Sequence, residues 1–185
     1  MTQEERNTRE KLIQAARALL LEKGHAACSV KAIAKRAGAN HGLVHHYFGS
    51  KEALLVAVLD EESQGMLQHV PTQDRVKPDM DKFIRAVLLG NPERSTLMAE
   101  FFAMARHVPG VAAKLAEILP RRREMIGKLS GVDPITIVLF QGALFGMSVQ
   151  RLVDPTIPLN EAAQRLAQMV QEAAQGSRER TGKKP

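Results

Sequence analysis

Across positions 24–50 of this 185-residue chain, helix-stopping glycines alternate with helix-capping side chains: Gly24, Ser29, Gly38, Asn40, Gly49, Ser50. Ser and Asn oxygens accept from the orphan amides at a helix start, and Gly takes the positive φ that closes a helix end. That punctuation leaves room only for short helices joined by tight turns. Leu12, Ile13, Ala16, Leu19 and Leu20 form an i, i+3/i+4, i+7 stripe, so the spacing predicts a first helix that stops at Lys23-Gly24, with Gly24 left-handed. Ser29 should cap a second, with Val30 at its start and Ile33 and Ala37 on its apolar side, ended by Gly38. Asn40 should cap a third that buries Val44 and Phe48 and ends at Gly49. Ser50 should cap a fourth running to about Gln68, with Glu52 in its first turn, where the helix dipole favours a negative charge.

Charge follows the same segment. From Lys23 to Lys51 there are five Lys or Arg and no Asp or Glu. Residues 1–55 carry nine basic against five acidic residues, the tail from Gly176 four against one, and the whole chain a formal +6. A basic head on a near-neutral body suits a phosphate polyanion as partner. It points to a helix-turn-helix whose second helix enters the DNA major groove. Gly42 lets that helix backbone come close to the groove edge. His41, His45 and His46 project from one short helix, where imidazoles can donate to guanine or phosphate, and a proton taken up in mild acid adds positive charge. Tyr47, Lys51 and the Ser29 hydroxyl should hold phosphates, and Lys31 and Asn40 are placed for phosphate or base contact. His41 and His45 also have the i, i+4 spacing of a metal pair, but no Cys, Asp or Glu lies nearby to complete a site, so no metal and no cofactor is expected.

Hydrophobic residues make up 44 % of the chain, Trp is absent and Tyr occurs once, a mixture that favours an all-α fold. Cys28 is the single cysteine, which excludes an internal disulfide and fits a small buried residue. The charged N-terminus does not read as a secretory signal. The longest uncharged run, Pro134–Gln150, is shorter than the roughly 20 residues a membrane span needs. Cytoplasmic location and no membrane partner are expected. A polar linker is read at Pro71–Pro78, then helices from Asp79 to Leu89, from Asn91-Pro92-Glu93 to about His107, from Pro109-Gly110 to Leu129 with a kink or split at Pro120, from Asp133-Pro134 to about Val153, and from Leu159 to Gln175.

The block from Thr8 to Leu59 resembles the N-terminal domain of the TetR family of bacterial transcriptional regulators. Thr8-Arg9, Ala15-Ala16, Glu22-x-Gly24, Ser29, Ile33-Ala34, Ala37-Gly38, Gly42, Tyr47-Phe48 and Ser50-Lys51-Glu52 carry the resemblance. Three positions depart from the common pattern: His41 where Lys is frequent, Leu43 where Thr is, and His45 where Tyr is. They bear on which bases are read. The resemblance implies an all-α homodimer of about nine helices per subunit. Residues 1–50 would form the DNA-binding domain, with the fourth helix (50–68) as link. Residues 51–176 would form an effector-binding and dimerisation domain, and 177–185 a disordered basic tail. It also implies a palindromic double-stranded operator, covered by the protein and released by a small-molecule effector of unknown identity. Leu43 joins the DNA-facing set.

The helix from Asp133 to Val153 is apolar nearly all round, and Gly142 and Gly146 make a smooth stripe where another backbone can approach. With the last helix it resembles the family's dimer-forming pair, with Leu139, Gly142, Phe145, Gly146, Val149, Leu166, Met169 and Val170 at the interface; the competing reading is a purely intramolecular core helix. Met66, Phe83, Phe101, Phe102, Met104 and Met125 are candidates to line an apolar ligand pocket, with Arg106 and His107 to orient a polar group, although Met and Phe at helical spacing more often make core. Arg121-Arg122-Arg123 reads as a solvated face. No Ser/His/Asp set, metal triad or Gly-rich phosphate loop is visible, so an enzyme is not expected. The alternative function is an architectural or partner-controlled DNA-binding protein without an effector.

Overall fold

The computed structural model describes residues 2–67 and 80–182, without the side chains of 65–67, 80, 129 and 177–182. The described residues are all-α: α1 (Gln3–Lys23), a 3-10 turn (His25–Ala27), α2 (Val30–Ala37), α3 (Gly42–Phe48), α4 (Lys51–Leu67), α5 (Met80–Leu89), α6 (Pro92–Met104), α7 (Pro109–Ser130), α8 (Pro134–Val153) and α9 (Leu159–Gly182). The expected linker at Pro71–Pro78 lies outside the described residues.

Two compact units emerge. The first holds residues 1–65 and 96–116, the second 66–95 and 117–185. The expected break at residue 50 is not where the chain divides. Instead α4 and segments of α6 and α7 group with the first three helices. Polar ties explain the grouping: the Gly110 amide donates to Glu52 of α4, Lys114 pairs with Asp60 at 2.8 Å, and the His25 amide donates to Glu100 of α6 at 3.0 Å.

In the first unit Leu12, Ile13, Ala16, Leu19 and Leu20 of α1 are all buried, as the stripe requires. They share the core with Cys28, Ile33, Val44, Leu54, Leu55, Val58 and Leu59. Burying a side chain of the Leu class contributes about 1.5–3 kcal/mol, so this apolar set outweighs the weak propensity of helices as short as α2 and α3. The second unit packs α5 on α8 and α9 around Ile84, Leu88, Ile126, Val132, Ile137, Phe140, Leu144, Ala163, Ala167 and Val170.

Several boundaries differ from the sequence reading. Gly24 has φ +70° but an extended ψ of 179°, so it opens into the 3-10 turn instead of closing in the left-handed region. α6 stops at Met104, before a turn at 105–107. α7 runs through Pro120 unsplit; Pro120 and Ala116 are both exposed, so water can take up the carbonyl the proline leaves free. α9 continues past Gly176 to Gly182, which corrects the expected disordered tail as far as that residue. A lone helical Gly costs only about 1 kcal/mol against Ala, too little to end a helix.

Candidate nucleic-acid interface

Local chemistry shapes the α2–α3 tip. Ser29 Oγ accepts from the Ala32 amide at 3.1 Å and starts α2, which Gly38 closes at φ +64°, ψ 31°. Asn40 Oδ1 accepts from the Gly42 amide at 2.9 Å one residue ahead of His41, the N-cap of α3, whose own side chain makes no cap bond, whereas Ser50 Oγ accepts from the Ala53 amide at 3.0 Å as the expected cap. Val44 is fully buried beneath α3. Phe48 is half-buried rather than buried, and the Arg9 guanidinium lies 5.2 Å from its ring centre, a cation over a π face. Arg36 makes a two-pronged pair with Glu22 at 2.7 and 2.6 Å, which locks α2 on α1 and takes one of the five cations out of play. That pairing, first through its hydrogen bonds, holds the Glu22 carboxyl below its ordinary value.

Of the ten candidate contact residues, Ser29, Lys31, Asn40, His41, Gly42, His45 and His46 are exposed; Leu43, Tyr47 and Lys51 are half-exposed. They come from α2, α3, the turn between them and the first residue of α4. A Cβ on Gly42 would meet only Asn40 Oδ1, at 3.4 Å, so neighbouring elements supply no packing reason for glycine there. His45 has a defined role within the tip. Its Nδ1 lies 3.1 Å from the Gly49 carbonyl, which can only accept, so Nδ1 carries the proton. Neutral His45 then offers Nε2 as an acceptor, and only the protonated ring offers a donor outward. His46 and Tyr47 meet edge to face at 4.9 Å, which stiffens the two rings side by side.

Beneath the tip, His25 is partly buried, and its Nε2 has no hydrogen-bond partner among the described residues. Burial first, then the Lys51 and His107 charges, hold its pKa below the ordinary imidazole value, with Glu100 acting the other way. Burial likewise pushes the Cys28 thiol up, consistent with a packing role. Neither His25 nor Glu100 was singled out in the sequence, because their meeting requires contact between positions 75 apart.

The remaining candidates scatter. Phe101 and Met104 are buried in the first unit, with Phe102 half-buried and Arg106 and His107 exposed. Phe83 and Met125 pack against the core cluster of the second unit, and the Met66 side chain is outside the described residues. On α8 and α9, Leu139 and Met169 are 68 % and 54 % exposed, Gly142 is exposed, and Phe145, Gly146, Val149 and Leu166 are half-exposed. Val170 departs from the expected interface set: at 2 % exposure it belongs to the core cluster of the second unit. The arginine run is a second correction. Arg121 is exposed, but Arg122 is buried at 9 % exposure. It follows Ile118 and precedes Ile126 at four-residue steps, a periodicity that could have placed it inside. Among the described residues no group of three or more His, Cys, Asp or Glu could hold a metal ion.

Known proteins resemble this chain in the head sequence and in fold. Residues 12–58 match the family model for bacterial regulatory proteins of the tetR family. The HTH-type transcriptional repressor Rv3405c of Mycobacterium tuberculosis is 31 % identical over 141 residues, covering 72 % of this chain and 71 % of its own length. The regulator UidR of Escherichia coli K12 is 29 % identical over 62 % of this chain and 60 % of its own. A solved transcriptional regulator from Rhodococcus sp. Rha1 superposes with a TM-score of 0.77 at 21 % identity, covering 91 % of this chain and 96 % of that one. The multidrug binding protein EbrR, solved with ethidium, gives 0.72 at 22 % identity over 88 % and 98 %. At such identities the structural likeness speaks to fold, while the mycobacterial match carries the family. With a capped helix-turn-helix, an all-α body and these relatives, the chain belongs to the TetR family and is a DNA-binding transcriptional regulator.

Proposed function

We propose that the protein is a homodimeric repressor whose two α3 helices enter successive major grooves of a palindromic operator, and that a small molecule held by the second domain releases it. The observation that carries this reading is the exposed α2–α3 face, where Lys31, Asn40 and three histidines surround a glycine that no neighbouring element requires. Lys31, Lys51, Tyr47 and Ser29 hold phosphates; His41, Leu43, His45 and His46 face base edges. The DNA contacts come from residues 1–50 and Lys51, and the effector and dimer contacts come from within 51–176, although α4 packs in one compact unit with the first three helices.

Dimerisation is supported by α8. Its inward face, Ile137, Phe140 and Leu144, is buried, whereas Ile135, Val138, Leu139, Leu152 and Val153 are 41–84 % exposed, with Met169 of α9 beside them in type. Large exposed apolar stripes mark interfaces, and a second copy of the same stripe matches it around a two-fold axis. α8 is also, among the described residues, the helix long and apolar enough to cross a membrane. Its buried inward face, which includes Ser148 and the Phe140 ring, favours the subunit contact and a cytoplasmic protein. One α3 reads too few base pairs for specificity; two heads supply the second half-site.

Selection of purified full-length protein on randomised duplexes tests the proposal. A two-fold symmetric consensus, with binding then lost on adding a fraction of a cellular metabolite pool, is the expected result. An asymmetric or absent consensus overturns it.

A further inference from the structure

Three consecutive arginines of α7 meet three environments. Arg121 is exposed and pairs with Glu117 at 2.9 Å, and Arg123 reaches Gln141 Oε1 at 3.5 Å. Arg122 between them is buried at 9 % exposure, on the face that Ile118 and Ile126 give to the interior. Its Nε is sheltered and has no acceptor among the described residues. A second guanidinium, Arg94 from the first turn of α6, is close enough for its charge to act on Arg122. Both belong to the second unit.

That combination is costly. A buried cation needs an anion and hydrogen-bond acceptors, and a neighbouring cation adds repulsion. Burial first, and then the Arg94 charge, hold Arg122 below the ordinary arginine value, and no carboxylate among the described residues acts on it in the opposite sense. Guanidinium presents planar forked donors that match carboxylate and phosphate oxygens.

We infer that Arg122 and Arg94 form the head-group site for a small organic anion, a carboxylate or phosphate carried on an apolar body that lies along the Ile118 and Ile126 side of α7. This rests on the effector reading above and names the ligand class for it. The anion supplies the acceptor that Arg122 Nε lacks, so its binding is linked to the stability of the second unit.

Full-length protein is tested with four probes of one chain length: octanoate, octyl phosphate, octanol and octyltrimethylammonium, at matched concentration and ionic strength. The melting midpoint and the anisotropy of a labelled operator are read. Octanoate or octyl phosphate is expected to raise the midpoint by about 2–4 °C, and octanol and the cation are not; which of the two anions acts more strongly assigns the head group. Arg122→Met should weaken anion binding at least roughly tenfold. Without any probe it should melt higher than the parent, because an uncompensated buried charge is gone. Arg94→Gln should also lose anion affinity. No preference for the anionic probes over octanol, absence of binding included, overturns the inference, as does an Arg122→Met variant that melts lower or keeps the anion preference. Operator release by octanol or by the cation would retain the effector reading and remove only the anion site; operator binding indifferent to all probes and to a metabolite pool would remove the effector reading itself.

Discussion

Gly24 stands where α1 must turn into the 3-10 segment, at φ +70° and ψ 179°, a region that only glycine occupies without strain. A Cβ there would meet the Glu100 carboxylate at 3.4 Å. Gly24→Ala should cost about 1–3 kcal/mol in urea unfolding; an unchanged midpoint contradicts the strain. His25 gives a pH signature. Its folded pKa is depressed, chiefly by burial, so below about pH 6.5 the unfolded chain takes a proton that the folded chain refuses. Its share of stability is fully present above that value and is lost as pH falls toward the folded pKa. His25→Gln should therefore flatten the fall of the melting midpoint on mild acidification, and parallel curves for the two proteins would show that His25 is not the group. On the DNA face, Lys51→Ala should weaken binding to every sequence and lower the salt slope by about one. His41→Ala should change which operator variants are preferred. Identical effects on all sequences would erase the division between positioning and reading.

The short helices depend on their caps and cross-ties more than on propensity. Ser50 accepts from the Ala53 amide, so Ser50→Ala should destabilise the first unit by about 0.5–2 kcal/mol and Ser50→Asn should restore it. Equal loss in both variants would mean that the hydroxyl is not acting as a cap. This punctuation is why α1 to α4 were legible in advance: caps, glycines and the Leu12–Leu20 stripe act over a few residues and are written in order. Asp133-Pro134 and Asn91-Pro92 announced α8 and α6 for the same reason, and Asp133 Oδ1 accepts from the Ile135 and Thr136 amides as such a cap should. The ends of α6 and α9 were less legible, since Gly176 and the residues after Met104 stop a helix only if tertiary contacts allow it. Tertiary pairings such as Glu52 with Gly110 and His25 with Glu100 leave no local trace. Arg122 was a different failure: grouping three arginines by charge hid the four-residue period that puts the middle one inside.

For the whole molecule, assembly and specificity depend on one another. The α8 stripe is apolar and exposed, as the proposed dimer contact requires, and in that dimer two recognition helices together specify the operator. Placing a carboxylate in the stripe, as Leu139→Asp, should give a folded monomer by light scattering and reduce operator affinity by orders of magnitude, since burying that charge against its twin is prohibitive. A dimer that survives the change would move the interface elsewhere. Ile135 or Val153, the most exposed apolar residues at the two ends of the helix, would then be the next positions to charge.

Hydroxyl-radical footprinting of the full-length protein on its selected duplex tests the central claim most directly. Two protected patches on one face of the DNA, about one helical turn (34–36 Å) apart, both abolished by Leu139→Asp and both weakened by Lys51→Ala, are the expected result. A single patch, or uniform protection indifferent to those two substitutions, would contradict a paired helix-turn-helix reader.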